Sequence, residues 1–370
     1  MTAKKDISTV RDDSLGLDLP AVIVVCYNRP ILTLNLVSVL RRVRPSHVLI
    51  VADGPKPGDF EDKASVDASR AAFDQIDWPC KIDRLYSDFN LGCTARITSG
   101  LDWAFELVDE AIILEDDIDP STQFFSWAHQ MLKLYRDRND IAMISGHNPL
   151  ISWPEYSPGS FAIPSHRGAI WGWATWARAW RSVKNWSVEG DLENVARDIS
   201  KCEFEPALSA LYQIYLAEAR TRPLSWDVDF TIRMAMSGRR SLVSPKNYVH
   251  HLGVGPDATH HKDSDDTLFY LPRGEGEIPE IQLELPKDSV DPGFDRARVM
   301  MELLVRTKNP RMARLLVQRV DLPIQRDIRT HLLPFLFPDE TLDVLTHLEN
   351  EGLDHARARY WKEAVGGGKN

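Results

Sequence analysis

An acidic run after a short apolar segment is the part of this sequence best suited to chemistry. Residues 111–114 are apolar, Glu115, Asp116 and Asp117 follow them directly, and Asp119 comes one residue later. Like charges this close repel, and partial burial raises the cost of ionising each carboxylate. A hard divalent cation, Mn²⁺ or Mg²⁺, would hold them together, because it prefers oxygen ligands and bridges to substrate phosphates.

The acidic run has two other interpretations. Acids placed before the segment TQFFSWA would complement the dipole of a helix N-terminus, which accounts for Asp119 and Asp117 but not for the whole run. A response-regulator pocket also uses paired acids at a strand end, but there the pair follows the first strand. Here the acids come after three predicted strand–helix units, which disfavours that interpretation.

The elements that must position these acids alternate between strand and helix. Short apolar or β-branched runs bounded by turn residues predict strands, and the intervening segments carry apolar residues at helical spacing. The predicted strands lie within residues 21–27, 47–55, 80–87, 111–114 and 141–146. This alternation predicts an α/β protein with a doubly wound, mostly parallel sheet. In such sheets, ligands bind beyond the carboxyl ends of the strands, where the acidic run falls.

Composition excludes several classes of function. The chain has 370 residues, a net charge of −10 and no long basic run, which argues against extensive contact with nucleic acid or anionic lipid. Residues 1–18 form a polar N-terminal tail without the apolar core of a signal peptide. No apolar run approaches the ~20 residues that span a bilayer. We therefore expect a cytoplasmic protein, peripheral to a membrane if its acceptor lies there.

The four cysteines favour neither a disulfide framework nor a zinc site. Cys26, Cys80, Cys93 and Cys202 contain no C-x-x-C pair and no regular spacing. We expect reduced thiols in a reducing compartment.

Five segments carry a resemblance to a known family. In chain order they are NLGCTARITSGLDWAF, ILEDDIDPSTQFFSWA, RGAIWGWATWARAW, SWDVDF and LGVGPDATH. Each is weak alone, but together, over roughly residues 20–262, they resemble the GT-A glycosyltransferases close to N-acetylglucosaminyltransferase I and related bacterial sugar transferases. The resemblance implies a GT-A fold and inverting transfer of a hexosyl or N-acetylhexosaminyl group from a nucleotide-sugar, with UDP expected, to an acceptor hydroxyl. It also implies a divalent metal on the diphosphate.

The resemblance assigns roles on the donor side. Asp117 matches the direct metal ligand, and Glu115 and Asp116 match positions that face the nucleoside and the waters of the metal. Asp53 matches an acid that contacts the nucleobase, although Asp-Gly-Pro also makes a turn unaided. Arg29 matches a donor-binding arginine, with a solvated charge at a helix start as the equally weighted alternative.

Further donor and acceptor residues follow from the same segments. Arg96 is predicted to approach the diphosphate, unless it is a surface residue of its helix. His260 matches a histidine that contacts metal or diphosphate, in a loop at 249–263 that we expect to close over the donor. His251 stands where relatives carry Asn, so its role stays open. Trp171 and Trp173 are predicted to wall the acceptor pocket. For Trp173, Trp176 and Trp180 helical spacing favours core packing instead.

Asp227 is the predicted catalytic base. It follows Trp226 in SWDVDF, the segment that resembles the family's base-bearing Trp-Asp element, and Asp229 is the reserve candidate. In the N-acetylglucosaminyltransferase the base is the second acid after the tryptophan, a place that Val228 takes here. The alternative is that Asp227 caps the following helix.

The predicted organisation has five parts, and two other functions compete. The parts are the tail 1–18, a donor-binding half at 19–150, an acceptor-binding half at 151–271, a linker at 272–290 and a helical C-terminal region at 291–370. A nucleotidyltransferase that makes nucleotide-sugars is disfavoured, because CYNRPILT after the first strand has no glycine. A nucleotide-sugar-binding module without catalysis is disfavoured by the complete acidic run.

Overall fold

The computed structural model describes residues 19–150, 162–184, 192–219, 223–253 and 289–307. In chain order the strands are β1 Ala21–Cys26, β2 His47–Ala52, β3 Lys81–Tyr86, β4 Glu110–Glu115, β5 Ile118–Pro120, β6 Ile141–Ser145, β7 Ile163–Ser165, β8 Trp173–Trp176, β9 Arg240–Val243 and β10 Val249–His251. The α-helices are α1 Pro30–Val43, α2 Phe60–Ala71, α3 Cys93–Leu107, α4 Thr122–Leu134, α5 Ala177–Lys184, α6 Leu192–Ile199, α7 Pro206–Glu218, α8 Trp226–Met236 and α9 Pro292–Thr307.

Eight of these strands form one sheet in the part of the chain that the structure describes. Their order is β3-β2-β1-β4-β8-β6-β9-β7. The first four are parallel to one another, and β6 and β9 are parallel to each other. Strand β8 runs antiparallel to β4 and β6, and β7 runs antiparallel to β9. The prediction of an α/β protein with a mostly parallel, Rossmann-like sheet is confirmed.

The centre of the sheet is buried because helices cover both of its faces. Ile23 and Val24 of β1 and Ile50 of β2 are fully buried, and the strands read as continuous apolar runs. Helix α1 contacts α2 and α4, whereas α3 contacts α5, which in turn contacts α8. Two groups of helices therefore sandwich the sheet, as expected for strands without an alternating polar face.

The chain reverses direction across the sheet at β1. It leaves β1 for β2 and then β3, and returns to β4 on the other side of β1. The carboxyl ends of β1 and β4 are adjacent, with Val25 opposite Glu115 in the ladder. The crevice beyond these adjacent strand ends, where the strand order reverses, is where such folds bind ligands.

A two-stranded sheet continues from the acidic run. Strand β5 pairs antiparallel with β10, which places His251 opposite Ile118 and His250 opposite Asp119. Residues 249–251 were expected to begin a loop, so that expectation is wrong at its first three residues. A short run such as VHH carries no strand pattern of its own, and the ladder to β5 makes it a strand. Residues 254–263 of the predicted loop lie outside the described residues.

The tryptophan-rich segment is core, as expected, but it is not one helix. Trp173 and Trp176 lie on β8, and Trp180 lies on α5, and all three side chains are at most 2% exposed. Spacings of three and four residues fitted a helix, but the sheet position between β4 and β6 makes the first part a strand.

Helices α6, α7, α8 and α9 contribute to a second core beside the sheet edge. Their buried side chains include Val195 and Ile199 of α6, Leu208 and Leu211 of α7, and Val299 of α9. Helix α9 also contacts β7. This helix lies at the start of the segment 291–370, for which a helical region is predicted. The predicted tail at 1–18 and nearly all of the predicted linker lie outside the described residues.

No helix in the described ranges has both the length and the apolar character needed to cross a membrane.

Candidate functional site

The acids after β4 are held against the end of β1. Glu115 is the last residue of β4 and is half-buried, whereas Asp116 and Asp117 are each 6% exposed. The backbone N–H of Asp116 donates to the carbonyl of Val25 at 2.9 Å. Its Oδ2 accepts from the N–H of Tyr27 at 3.0 Å. The acidic run is therefore a structured turn in the crevice.

These acids do not cap helix α4. Ser121 is the N-cap of that helix, and its side chain accepts from the N–H of Phe124. Asp119 instead lies on β5, with its Oδ2 3.9 Å from Nδ1 of His250. The helix-dipole interpretation thus does not explain the buried Asp116 and Asp117.

The side chain of Arg29 lies against the carboxylates of the acidic run. It is the N-cap residue of α1, directly after the turn that leaves β1. Its Nη1 atom donates to Asp117 Oδ2 and lies 3.4 Å from Asp116 Oδ1. The alternative of a solvated charge at a helix start does not fit a side chain that is 18% exposed and paired with two buried acids.

The segment after β10 closes against Asp117. The N–H of Leu252 donates to the carbonyl of Asp117 at 2.7 Å. A Cβ atom on Gly253 would lie 2.2 Å from Asp117 Oδ2, so the backbone passes the carboxylate at a distance that only glycine permits. His251 approaches from the same segment, with Nε2 3.6 Å from Asp117 Oδ2. His251 Nδ1 accepts from the N–H of Gly253, so in the neutral ring Nε2 carries the hydrogen and faces Asp117.

Asp227 brings a further negative charge to this site. The pKa of Glu115 lies well above its ordinary value, and burial is the largest cause. Repulsion from Asp117, Asp116 and Asp227 also raises this pKa, while Arg29 lowers it. Asp227 is half-buried in the first turn of α8. Its carboxylate has no hydrogen-bond or ion-pair partner among the described residues. No structural contact with another described residue therefore occupies this carboxylate.

The reserve candidate is differently placed. Asp229 Oδ2 accepts from Nε of Arg233 at 2.8 Å, one turn along the same helix. The N-cap of α8 is Ser225, not Asp227, and Ser225 makes no side-chain cap hydrogen bond. The structure therefore separates the two acids, and Asp229 belongs to an ion pair on the helix surface.

Cys93 is a neighbour of the site that the sequence did not reveal. It is the first residue of α3 and follows Gly92, whose φ of 81° is in the region that favours glycine. The pKa of the thiol is raised to about 12, and loss of hydration is the largest cause. The charges of Glu115, Asp227 and Asp117 also contribute to this increase. These effects favour the protonated thiol.

Asp53 anchors the loops at the ends of β2 and β3. Its Oδ1 accepts from the N–H groups of Gly54 and Leu91, each at 2.9 Å, and its Oδ2 accepts from the N–H of Gly92 at 3.0 Å. A Cβ on Gly54 would lie 2.4 Å from the backbone nitrogen of Phe89, so these loops pack backbone to backbone. The structure places Asp53 as a support of the crevice wall.

Arg96 is not a surface residue of its helix. It is 5% exposed, and its Nη2 donates to the carbonyl of Leu85 at 2.5 Å. Its Nε is buried without a hydrogen-bond partner among the described residues. Burial lowers the pKa of this guanidinium, and Asp53 opposes that effect. In this structure the side chain ties α3 to the end of β3.

Asp62 fixes the loop that carries Arg29, and no sequence pattern indicated this role. Its carboxylate accepts from the hydroxyl of Tyr27 at 2.6 Å, from Nδ2 of Asn28 at 2.7 Å and from the N–H of Lys56 at 2.7 Å. Tyr27 and Asn28 precede Arg29 directly. The contacts join residues far apart in the chain, so a local pattern could not have found them.

Of the two tryptophans predicted to wall the acceptor pocket, Trp171 lies at the site and Trp173 lies in the core. The half-buried ring of Trp171 lies 4.5 Å from that of His251 and 4.7 Å from that of His147. Trp173 is 1% exposed and packs against Trp226, so it does not line an accessible pocket in this structure. Through that contact it supports the start of α8, which carries Asp227.

The donor chemistry of the site fits a divalent cation, although the geometry is not preformed. Among the described residues no group of three or more His, Cys, Asp or Glu side chains is arranged to hold a metal ion. Oxygen donors predominate, and burial together with mutual repulsion raises the pKa of Asp116. A hard cation would relieve that repulsion. His260, the other predicted metal contact, lies outside the described residues.

Comparison with known proteins gives fold-level likeness only. No family model matches the chain, and no curated protein matches it in sequence. Among solved structures, the mannosyltransferase from Pyrobaculum calidifontis in complex with GDP-Man and Mn²⁺ is 11% identical, covering 95% of this chain and 81% of that chain, with a TM-score of 0.36. Mouse xyloside xylosyltransferase 1 is 12% identical, covering 59% and 81%, with a TM-score of 0.29. Likeness at this level carries no information on what this chain binds or catalyses.

Proposed function

We propose that this chain is a metal-dependent, inverting glycosyltransferase. It would move a hexosyl or N-acetylhexosaminyl group from a nucleotide-sugar, with UDP as the first nucleotide to test, to an acceptor hydroxyl. The observation that carries the proposal is the meeting of the acidic run with Asp227. The charge of Asp227 acts on Glu115 of the acidic run, and the Asp227 carboxylate, on a separate helix, has no hydrogen-bond or ion-pair partner among the described residues.

The donor would lie in the crevice beyond β1, β2 and β4. Asp117 and its neighbour Asp116 would hold the cation, which supplies charge neutralisation for the departing diphosphate. Glu115 would face the nucleoside, and Arg29 would pair with phosphate oxygens. Asp53 shapes the wall on which the nucleobase would rest, and Arg96 braces the same wall. His260 remains a proposed contact of the metal or diphosphate.

Asp227 would take the proton of the acceptor hydroxyl. Inverting transfer is a single displacement at the anomeric carbon, so the attacking hydroxyl loses its proton as the bond to the sugar forms. The acceptor would rest against Trp171, since a flat apolar ring suits the face of a sugar. Trp173 would act indirectly, by supporting α8. In this proposal residues 19–150 bind the donor, 151–271 bind the acceptor, and 291–370 form a helical region joined by a linker at 272–290.

A thermal-shift panel of nucleotide-sugars, with and without Mn²⁺, tests the proposal. We expect one donor to stabilise the protein only when the metal is present, because ligands that bind the folded state raise its apparent stability. Asp117→Ala should abolish the metal-dependent part of that shift. The matched control is Asp67→Ala, which removes an exposed acid of a surface ion pair on α2.

Three results would point elsewhere. If Asp117→Ala binds the donor with unchanged dependence on Mn²⁺, Asp117 is not the metal ligand. Formation of a nucleotide-sugar from a sugar phosphate and a nucleoside triphosphate indicates a nucleotidyltransferase. Donor binding without transfer to any acceptor hydroxyl or water indicates a binding module.

A further inference from the structure

Arg29 occupies the place between two acids where a bound cation would sit. A single atom, Nη1, is hydrogen bonded to Asp117 and lies 3.4 Å from Asp116. A guanidinium supplies a positive charge but only N–H donors. The cationic guanidinium therefore occupies the space between the two carboxylates and would repel a metal ion there.

Neither side of this ion pair can separate without a replacement. Both acids are 6% exposed and the Arg29 side chain is 18% exposed, so each charge lies largely out of water. Breaking a buried pair leaves an uncompensated charge, which is strongly unfavourable. Arg29 needs an anion at the moment that the acids receive a cation.

A nucleoside diphosphate carrying Mn²⁺ or Mg²⁺ brings both replacements at once. The guanidinium fork matches two phosphate oxygens, and the cation matches the carboxylates. The exchange would convert one ion pair into two without leaving a buried charge unpaired.

The local structure confines the exchange to the Arg29 side chain. The carbonyl of Arg29 accepts from both the N–H and the hydroxyl of Thr33, each at 2.9 Å. The two preceding residues, Tyr27 and Asn28, are bound to Asp62. The main chain is thus fixed on both sides, while the long side chain retains several rotatable bonds.

We propose that Arg29 is a latch that makes metal binding and nucleotide binding depend on each other. The inference rests on the proposed function, since the diphosphate of the donor is the anion that draws Arg29 from Asp117. Without nucleotide, Arg29 blocks the metal position. With nucleotide, Arg29 pairs with phosphate oxygens and Asp117 is open to the metal. By linkage, each ligand tightens the other by the same factor.

Calorimetric titration of the full chain with Mn²⁺, alone and in the presence of UDP or GDP, measures the latch. For the wild-type protein we expect Mn²⁺ to bind at least about tenfold more tightly when the diphosphate is present, within the usual range of coupling between two sites. Arg29→Gln should bind Mn²⁺ alone about tenfold more tightly than wild type, and the coupling to the diphosphate should fall towards onefold. Arg41→Gln, an exposed arginine on the same helix, is the matched control and should behave as wild type.

The outcomes separate the latch from the function on which it rests. If neither diphosphate binds the wild-type protein at any Mn²⁺ concentration, the proposed function fails and the latch with it. If the diphosphates bind with Mn²⁺ but Arg29→Gln has the wild-type affinity for Mn²⁺ alone, the latch is overturned and the function stands. If Arg29→Gln does not fold, the wild-type titrations decide: equal Mn²⁺ affinity with and without diphosphate overturns the latch, and a tenfold difference that Arg29→Lys reduces supports it.

Discussion

The two halves of the sheet handle buried charge in opposite ways. Beside β1 and β4, burial and the charges of neighbouring acids raise the pKa values of Glu115 and Asp116, and the guanidinium of Arg29 opposes that rise. Near the β6–β9–β7 edge, Asp140 and Glu205 are paired with arginines, and the buried Asp295 accepts hydrogen bonds from Ser165 and the N–H of His166. Asp140, for example, is paired with Arg138 and Arg240, whose hydrogen bonds and charge hold its pKa well below the ordinary range.

This difference in charge pairing distinguishes a candidate binding site, at the β1–β4 crevice, from a structural region, at the β7 edge. Paired charges at the β7 edge hold the helices in position. For example, Glu205 Oε1 accepts a hydrogen bond from Nε of Arg296 at 2.7 Å. Unmatched charges in the β1–β4 crevice raise the energy of the ligand-free protein, and a ligand of opposite charge recovers that energy. Perturbed pKa values that cluster in a crevice are therefore more informative about function than a buried ion pair alone.

The largest expected effect comes from removing the proposed base. We predict that Asp227→Asn lowers the turnover rate about 10²–10⁴-fold, because proton removal by a placed carboxylate contributes that much. Donor affinity and thermal stability should stay near wild type, since Asp227 is not the cap of α8. Steady-state kinetics with the donor found in the thermal-shift panel, together with a melting curve, makes the measurement.

Asp229→Asn is the matched control for that experiment. It removes the same charge two residues away but breaks the ion pair with Arg233, so it should lose some stability and keep turnover. Near-normal transfer by Asp227→Asn together with slow transfer by Asp229→Asn would reverse the assignment.

Two leucine truncations compare the halves directly. We predict that Leu114→Ala on β4 and Leu208→Ala on α7 each lower the free energy of unfolding by about 2–5 kcal/mol, since both side chains are fully buried. Leu114 precedes Glu115, so its loss should also weaken metal-dependent binding of the nucleoside diphosphate at temperatures where the variant is folded. Leu208 lies in the second core, so its loss should leave that binding unchanged. Denaturant titration and calorimetry give both quantities, and equal loss of binding in the two variants would contradict the division.

The smallest predicted effect is a pH dependence at the β7 edge. Burial raises the pKa of Asp295 from 3.8 to about 6, against hydrogen bonds from Ser165 and the N–H of His166 and the charge of Arg298. A raised folded-state pKa means that the contribution of Asp295 to stability is fully present below about pH 4. This contribution is lost as the pH rises through about 6. The upward shift of the pKa corresponds to roughly 3 kcal/mol in the free energy of unfolding.

Asp295→Asn should remove that dependence, because the amide resembles the protonated acid. We expect the stability difference, variant minus wild type, to grow between about pH 4 and 6 and to stay constant above. Burial lowers the pKa of the neighbouring His166 to about 4, and this group titrates in both proteins. Denaturant titrations at several pH values measure the difference, and a difference independent of pH would show that Asp295 is ionised throughout.

The sequence by itself determined the strands and helices of the β1–β4 half. Runs such as AVIVVC and HVLIVA are apolar on both faces because helices cover both faces of a parallel sheet, and α1 begins at Pro30. The order of these elements also placed the acidic run at the strand ends. In this half local pattern and tertiary environment agree, so periodicity was sufficient.

Tertiary structure alone decided which side chains meet. The short strands β5, β7, β8 and β10 exist because partner strands satisfy their backbone, and no periodicity marks segments of three or four residues. Arg29 reaches Asp117 across 88 positions of sequence, and Asp62 reaches Tyr27 across 35. Contacts at such separations depend on how the sheet brings loop ends together, and the charge balance of the site follows from them. The sequence indicated the acids, whereas packing at the β1–β4 crevice decided that Arg29 would pair with Asp116 and Asp117 and that the charge of Asp227 would act on Glu115.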